Sequence, residues 1–543
     1  MRYKRNELLY RLLKKMKNSD NAFMIIKYLF SISLIIIVLY KKDYYYGLFM
    51  LLEIGIVLFM TNKISHKICR YLLNGIFVFA INAQALFVIY GRTYLTLVMV
   101  QNIASLEDLS GRAFLYAGST ILISISAFLP VKKIEFKRIK SESLTIGFLM
   151  LEVICSMILG NSYSPIYGYY RVLYQMREQQ KIKNLSNELQ ISAADFFQNS
   201  IPGYIDKPEV LRDMPNIILI FTEGLSQSII DDERMLMPNI ASYQMQSLNF
   251  TNYYNHTFAT YRGLIGQLYS GYQLQNYDSN KLISIQDLLR EKGYRTTFIN
   301  TEPNNPAFVS YLKSLNFEKV DGNIEGLLEG MAQSLSDRQA YDKLYDVMQE
   351  ENKKDQPYFI AIYTLGTHVS FDSTDQMYAD GKDAMLNKFY NVDYYFGQFM
   401  KKLEASPMAK DTIVIFTTDH CTYLDDSYEA SFPDNGRLSW ETDKIPLFFY
   451  YQGIEPASFN ANGRNSLDLA PTICDYLDIS AGNYFLGSSL FAESGNNNYY
   501  DTTFNQSQDY LSTRNDRISE LSDEEKKIFI SNITRYFSVS RGQ

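Results

Sequence analysis

Cysteine, histidine and tryptophan are scarce in this 543-residue chain, which holds four, four and one of them. Cys69 and Cys155 lie in or beside apolar runs and Cys421 and Cys474 in the polar half, so no disulfide framework is expected even outside the cell. No Lys/Arg stripe stands out in the polar half, and the formal net charge is a mild −7, which argues against nucleic acid as a partner. No A-x-A-like site follows the first apolar run, so a cleavable signal peptide is not expected. At roughly 150 residues per domain, the length allows two to four domains.

What the chain does have is a change of character near residue 165. Before it come five apolar runs near the roughly 17 to 25 residues that a bilayer-spanning helix needs: Phe23 to Tyr40, Tyr46 to Met60, Tyr71 to Gly91, Ala113 to Pro130 and Leu144 to Gly160. Basic residues crowd the N-terminal arm (Arg2, Lys4, Arg5, Arg11, Lys14, Lys15, Lys17), the second loop (Lys63, Lys67, Arg70) and the fourth (Lys132, Lys133, Lys137, Arg138, Lys140). The other loops hold fewer, Lys41 and Lys42 in one and Arg92 and Arg112 in the other. The positive-inside rule then puts the N-terminus in the cytoplasm, and five spans deliver the polar half outside. Glu53 and Glu152 sit within spans, where an acid marks either a function or a protonated, interhelix-bonded side chain. The division expected is a transmembrane domain at 1–165, an amphipathic linker at 166–214, a catalytic domain at 215–495 and a C-terminal extension at 496–543. Within the linker, Tyr169 to Gln190 reads either as a helix lying on a membrane surface or as a solvated one.

From Pro215 on, short apolar runs alternate with helix-length stretches: Ile217–Phe221, Thr296–Ile299, Tyr358–Tyr363, Thr412–Thr417 and Pro446–Tyr451. This pattern predicts parallel βαβ units in an α/β sandwich, with a site at the carboxyl ends of the strands. Glu223, His368 and the pair Asp419-His420 each fall just past such an end. A Glu after a strand is commonly a cap and a buried His commonly a core residue, but three of the four histidines, His256, His368 and His420, gather in this domain. Carboxylate and imidazole donors without thiolate suit a hard or borderline dication. Beside such an ion, the hydroxyl of Thr260 becomes a nucleophile able to attack phosphorus. Thr257 is the other candidate; Thr260 is preferred because Tyr261 to Tyr269 reads as a helix whose N-terminus favours developing negative charge. Arg262 either holds a phosphate oxygen or caps a surface.

The runs NIILIFTEGLSQS, TFATYRGLIGQLYSG, TLGTHVSF, DTIVIFTTDH, LDLAPTICDYLDIS and YFLGSSLF, in this order, resemble the sulfatase-like branch of the alkaline phosphatase superfamily. With the apolar helices in front, the chain is similar to the membrane-anchored lipoteichoic acid synthases and phosphoethanolamine transferases of bacteria. That resemblance implies an α-helical transmembrane domain followed by an α/β sulfatase-like domain. It implies that Glu223, Thr260, Asp419 and His420 hold one divalent metal, Mn²⁺ or Zn²⁺ or alternatively Mg²⁺. It further implies Thr260 as nucleophile and His368 as the residue touching the phosphoryl or leaving group. The expected reaction moves phosphoglycerol or phosphoethanolamine from phosphatidylglycerol or phosphatidylethanolamine to a cell-surface glycan or polymer at the bacterial cytoplasmic membrane. A sulfatase or phosphodiesterase type of hydrolase, or a silent subunit, are the competing readings. Sulfatases carry a C/S-x-P-x-R motif that is not found around Thr260. Two departures from the synthases stand out. FINTEPNNPAFVSYLKSLNF has neither the Trp nor the Arg that hold glycerol phosphate, and no second His follows His420, where Asp425, Asp426 or Trp440 are candidates for the space. The tail after about Ser494 reads as a surface extension, with Glu524 to Phe537 helical.

Overall fold

The computed structural model describes residues 2–101, 113–134, 140–369, 371–433, 436–437, 441–493, 499–506 and 508–541, with backbone alone for 2–20 and 113. Arg112, Lys137, Arg138 and Trp440, named above, lie outside the described residues. The chain forms two compact units, 1–177 and 178–543.

The first unit is helical. Among the described residues, four helices are long and apolar enough to cross a membrane: Asn21–Tyr40, Tyr44–Asn62, Lys67–Gly91 and Ser141–Leu159. Leu34, Val38, Met50, Val57, Val78 and Val88 are buried between helices, while Ile25, Leu29, Ile36, Leu149, Val153 and Ile158 point outward, where lipid would meet them. This is a membrane-anchoring bundle. The fifth expected span, Ala113 to Pro130, is shorter as a described helix: Ala113–Ala127 has 15 residues and stops ahead of Pro130, whose ring cannot continue it. Glu53 is buried inside the bundle. Its Oε1 accepts from Ser164 Oγ at 2.5 Å and from the Ile166 N–H at 3.2 Å, so it serves the first turn of the helix Pro165–Glu188. Glu152 comes to the same serine, at 3.5 Å.

The second unit is built on a mixed sheet. Strands β1 (Asn216–Thr222), β2 (Leu248–Thr251), β3 (Arg295–Ile299), β4 (Lys319–Asp321), β5 (Tyr358–Thr364), β6 (Thr412–Thr418), β7 (Phe448–Tyr450) and β8 (Ala457–Asn460) lie in the order β4-β3-β5-β1-β6-β7-β2-β8. The central β3, β5, β1 and β6 are parallel, in register Ile218 to Ile360 and Ile218 to Val414. They are apolar on both faces because helices cover both: Ile217, Leu219 and Phe221 pack on one side, Ile218 and Ile220 on the other. The run Pro446–Tyr451, expected as a further parallel strand, instead gives β7, antiparallel to β6. Only the six-residue helix Asp426–Ser431 intervenes among the described residues, too little for the helical crossover that a parallel return requires.

The tail is no loose surface extension. It forms an antiparallel sheet of β9 (Thr503–Gln506), β10 (Asp509–Ser512) and β11 (Ser519–Glu520), then a helix Asp523–Ser540 that starts with a capping box of Ser522 and Glu525. Phe529, Ile533, Tyr536 and Phe537 are buried with Tyr272, Leu274 and Ile182. A run rich in Asn, Asp and Ser hides this, because its buried residues are strand polar groups and widely spaced aromatics.

Candidate active site

Three parallel strand ends and one helix start meet here. Glu223 directly follows β1 and precedes Gly224, whose φ of +47° suits glycine. Asp419 and His420 follow β6, the neighbour of β1. One donor atom from each of Glu223, Asp419 and His420 lies within 4.8 Å of the others, and all three residues are buried. The strands fix these positions through the backbone: Asp419 Oδ1 accepts from the N–H of Gly224 at 2.9 Å and of His420 at 2.8 Å. Its other oxygen, Oδ2, is buried without a hydrogen-bond partner among the described residues.

His420 is oriented by its own chain. Its Nδ1 lies 2.7 Å from the Cys421 carbonyl oxygen, to which only an N–H can donate, so Nε2 carries the lone pair when the ring is neutral. Nε2 lies 3.4 Å from Asp419 Oδ2 and 3.5 Å from Glu223 Oε1. Burial pushes the Asp419 carboxyl up, and the Glu223 carboxylate adds to it. Burial opposes charge on His420, but Asp419 and Glu223 outweigh it and hold the imidazole above its ordinary range. The reverse holds at Glu223, where burial raises the carboxyl and His420 more than offsets it. Two carboxylates thus share one buried space with a single imidazole. The orphaned oxygen and the imidazole lone pair, with donor atoms within 4.8 Å of one another, are a donor set that would fit a dication.

Thr260 opens the helix Thr260–Tyr269 and donates to Glu223 Oε2 at 3.0 Å. The preceding Ala259 sits at φ +76°, a strained position for a residue with a Cβ, which turns the chain sharply into the helix. A Cβ at Gly263 would overlap the Asp419 carbonyl oxygen, and Gln267 Nε2 donates to the Thr418 carbonyl at 2.9 Å. The helix therefore lies against the end of β6, with its N-terminus, an end that favours negative charge, at Thr260. Thr257 is elsewhere: its buried hydroxyl donates to the Asn505 carbonyl at 2.9 Å and to Gln506 Oε1 at 2.8 Å.

His368 lies in the turn after β5, half-buried, its carbonyl accepting from Lys388 Nζ at 3.2 Å. Burial holds its imidazole below the ordinary value, Glu223 opposes this, and Lys388 and His420 reinforce it. Arg262 is not brought in with the others. It is 2% exposed, which removes the surface cap, and its Nη1 donates to Gln506 Oε1 at 3.1 Å. At about 100° per residue it stands on the opposite side of the helix from Thr260. His256 is also behind the helix, its Nδ1 2.6 Å from Ser466 Oγ. Asp425, a candidate for the space of the second His, caps the helix Asp426–Ser431 by accepting from the Tyr428 N–H at 2.9 Å.

Sequence reasoning misses Tyr363 and Thr367, which donate to the side chain and backbone carbonyl of Glu223. Tyr363 carries a signal, because a phenol in an otherwise apolar buried strand must find a partner. Phe258, with its ring 4.5 Å from that of His420, carries none.

Residues 215–479 match the family model described as Sulfatase. Phosphoglycerol transferase I of Xanthomonas euvesicatoria pv. vesicatoria (strain 85-10) is 21% identical over 419 residues, covering 72% of this chain and 56% of that protein. The chain thus spans about half the length of that relative. An alkaline phosphatase superfamily protein from Vibrio parahaemolyticus has a crystal structure with a TM-score of 0.51 at 18% identity, over 66% of this chain and 94% of that one. The lipooligosaccharide phosphoethanolamine transferase A (EptA) of Neisseria meningitidis, an integral membrane protein, aligns over 82% of this chain and 88% of its own, at 12% identity and a TM-score of 0.48. The match to the Sulfatase model at 215–479 thus follows a set of apolar helices in the sequence.

Proposed function

We propose that this protein is a metal-dependent transferase that moves a phospho-alcohol group, phosphoglycerol or phosphoethanolamine, from a membrane phospholipid to a hydroxyl of a cell-surface glycan or polymer. The observation that carries this reading is the Thr260 hydroxyl, at a helix N-terminus, 3.0 Å from Glu223 Oε2 in a cluster with the orphaned Asp419 Oδ2. Glu223, Asp419 and His420, with Thr260, hold one dication, Mn²⁺ or Zn²⁺ or alternatively Mg²⁺. When bound, it supplies charge that stabilises the phosphoryl oxygens and lowers the threonine pKa.

The protein's own groups perform a double displacement. Thr260 Oγ attacks phosphorus, its proton passing along the hydrogen bond to Glu223, and the bond from phosphorus to the diacylglycerol oxygen breaks. His368, protonated beside the anionic substrate, gives its proton to that leaving oxygen. A phospho-threonine diester remains, with its oxygens towards the helix N-terminus. An acceptor hydroxyl then attacks phosphorus and gives its proton to His368, and Thr260 leaves and regains the proton held at Glu223. Tyr363, donating to Glu223, keeps that carboxylate in place throughout. The apolar helices hold the enzyme in the membrane that contains the donor. Basic residues on the N-terminal arm support a cytoplasmic N-terminus and an extracytoplasmic catalytic domain in a bacterial cytoplasmic membrane.

The test is diacylglycerol release from liposomes of phosphatidylglycerol or of phosphatidylethanolamine, by full-length protein with Mn²⁺ or Zn²⁺, beside Thr260→Ala. Release from one lipid that is lost in the variant is expected. Release that survives in Thr260→Ala, or none from either lipid, overturns the reading in favour of another nucleophile or of a hydrolase of soluble substrates.

A further inference from the structure

We infer that the C-terminal strand β9 is a clasp that sets the rotation of the nucleophile-bearing helix, with Gln506 as its positioning residue. This rests on the reading of Thr260 as nucleophile. The two sides of the helix Thr260–Tyr269 are held by different parts of the chain. On one side, Thr260, Gly263 and Gln267 lie against Glu223, the Asp419 carbonyl and the Thr418 carbonyl. On the other, Arg262 and Gly266 lie against Gln506 and His256.

Gln506 is fully buried, and its one amide oxygen accepts twice, from Arg262 Nη1 at 3.1 Å and from Thr257 Oγ1 at 2.8 Å. Those two donors bracket the strained turn at Ala259 and Thr260. An amide oxygen has two lone pairs, so this single atom ties the segment before the nucleophile to the first turn after it. The strand is anchored in its turn: the Asn505 N–H donates to the His256 carbonyl at 3.0 Å, and Tyr272 OH to the Thr503 carbonyl.

Without that oxygen, Arg262 Nη1 and the Thr257 hydroxyl lose the acceptor they share, and the first turn of the helix loses its tie to the segment before it. Cα atoms lie about 2.3 Å from the helix axis and a threonine hydroxyl about 4 Å, so a turn of roughly 15° carries Thr260 Oγ through about 1 Å. A 1 Å misplacement costs on the order of 100-fold in rate.

Full-length Gln506→Leu and Gln506→Glu test this, since a carboxylate still accepts from both donors. For Gln506→Leu, kcat for diacylglycerol release is expected to fall about 100-fold, with KM unchanged, and hydrogen exchange to quicken in the first turn of the helix. Gln506→Glu is expected to restore both. Wild-type kcat and exchange in Gln506→Leu overturn the inference. So does a parallel loss of bound metal and thermal stability that Gln506→Glu does not rescue, which marks a merely structural glutamine. A wild type inert towards both lipids overturns the transferase reading instead, and the exchange comparison then still decides whether Gln506 holds the helix.

Discussion

Two buried acids, one in each unit, have opposite fates. Glu53, in the helical bundle, has its oxygens taken by Ser164 Oγ and the Ile166 N–H. Asp419, at the carboxyl end of β6, has one oxygen held by two backbone N–H groups and the other held by none among the described residues. Burial alone therefore does not make a ligand. A carboxylate that is fully hydrogen-bonded serves the fold, and one with a lone oxygen beside an imidazole and a second carboxylate is ready for a cation. Asp337 refines the contrast. It is buried, accepts from Asn391 Nδ2 at 2.7 Å and also has an orphaned oxygen, but no metal-ligand cluster forms around it among the described residues.

The largest expected effect comes from Asp419→Asn. Removing the charge at the free oxygen should leave purified protein without stoichiometric metal, and lower lipid turnover by several kcal/mol of barrier, roughly 10³-fold. Full metal occupancy, read by elemental analysis, would break the comparison. Next is Tyr363→Phe, which takes a hydrogen bond from Glu223 and should weaken metal affinity by about 10- to 100-fold in a chelator titration. Glu53→Ala should leave metal content as it is and cost on the order of 1–3 kcal/mol of stability, because two donors lose their acceptor. Glu53→Gln should recover most of that in a melting measurement in detergent, and a metal loss in either variant would contradict the closed role. The smallest effect is at Asp337, whose carboxyl burial pushes up to about 7 from 3.8. A raised acid stabilises the fold while protonated, so its contribution is whole below pH 3.8 and fades as pH rises through about 7. Asp337→Asn should flatten that decline and raise the melting temperature at pH 8 by about 2–4 °C, and an unchanged pH profile would refute it.

The central sheet was readable in the sequence because strands apolar on both faces leave an unbroken signal, as in IILIF and TIVIF. Glu223, Asp419 and His420 were readable because each ends such a run. β2, β4 and β8 were not, since strands of three or four residues carry little periodicity. The direction of β7 depends on what fills the connection rather than on the strand's own residues. The sequence leaves Arg262 as either a phosphate ligand or a surface cap, and the structure turns it to the other side of the helix, where Gly266 packs on His256 and Arg262 bonds to Gln506. Gln506 had no signal at all, because its value comes from two donors more than 240 positions away in the chain.

That distance has a consequence for how the protein is made. Synthesis runs from the N-terminus, so Glu223, Thr260, Asp419 and His420 all leave the ribosome before the strand that braces the nucleophile. A nascent chain can enter the membrane and assemble its central sheet while the helix at Thr260 still lacks its rear support. On the proposed reading, catalytic competence arrives only once β9 has been made, and a chain cut before it is expected to turn over lipid poorly.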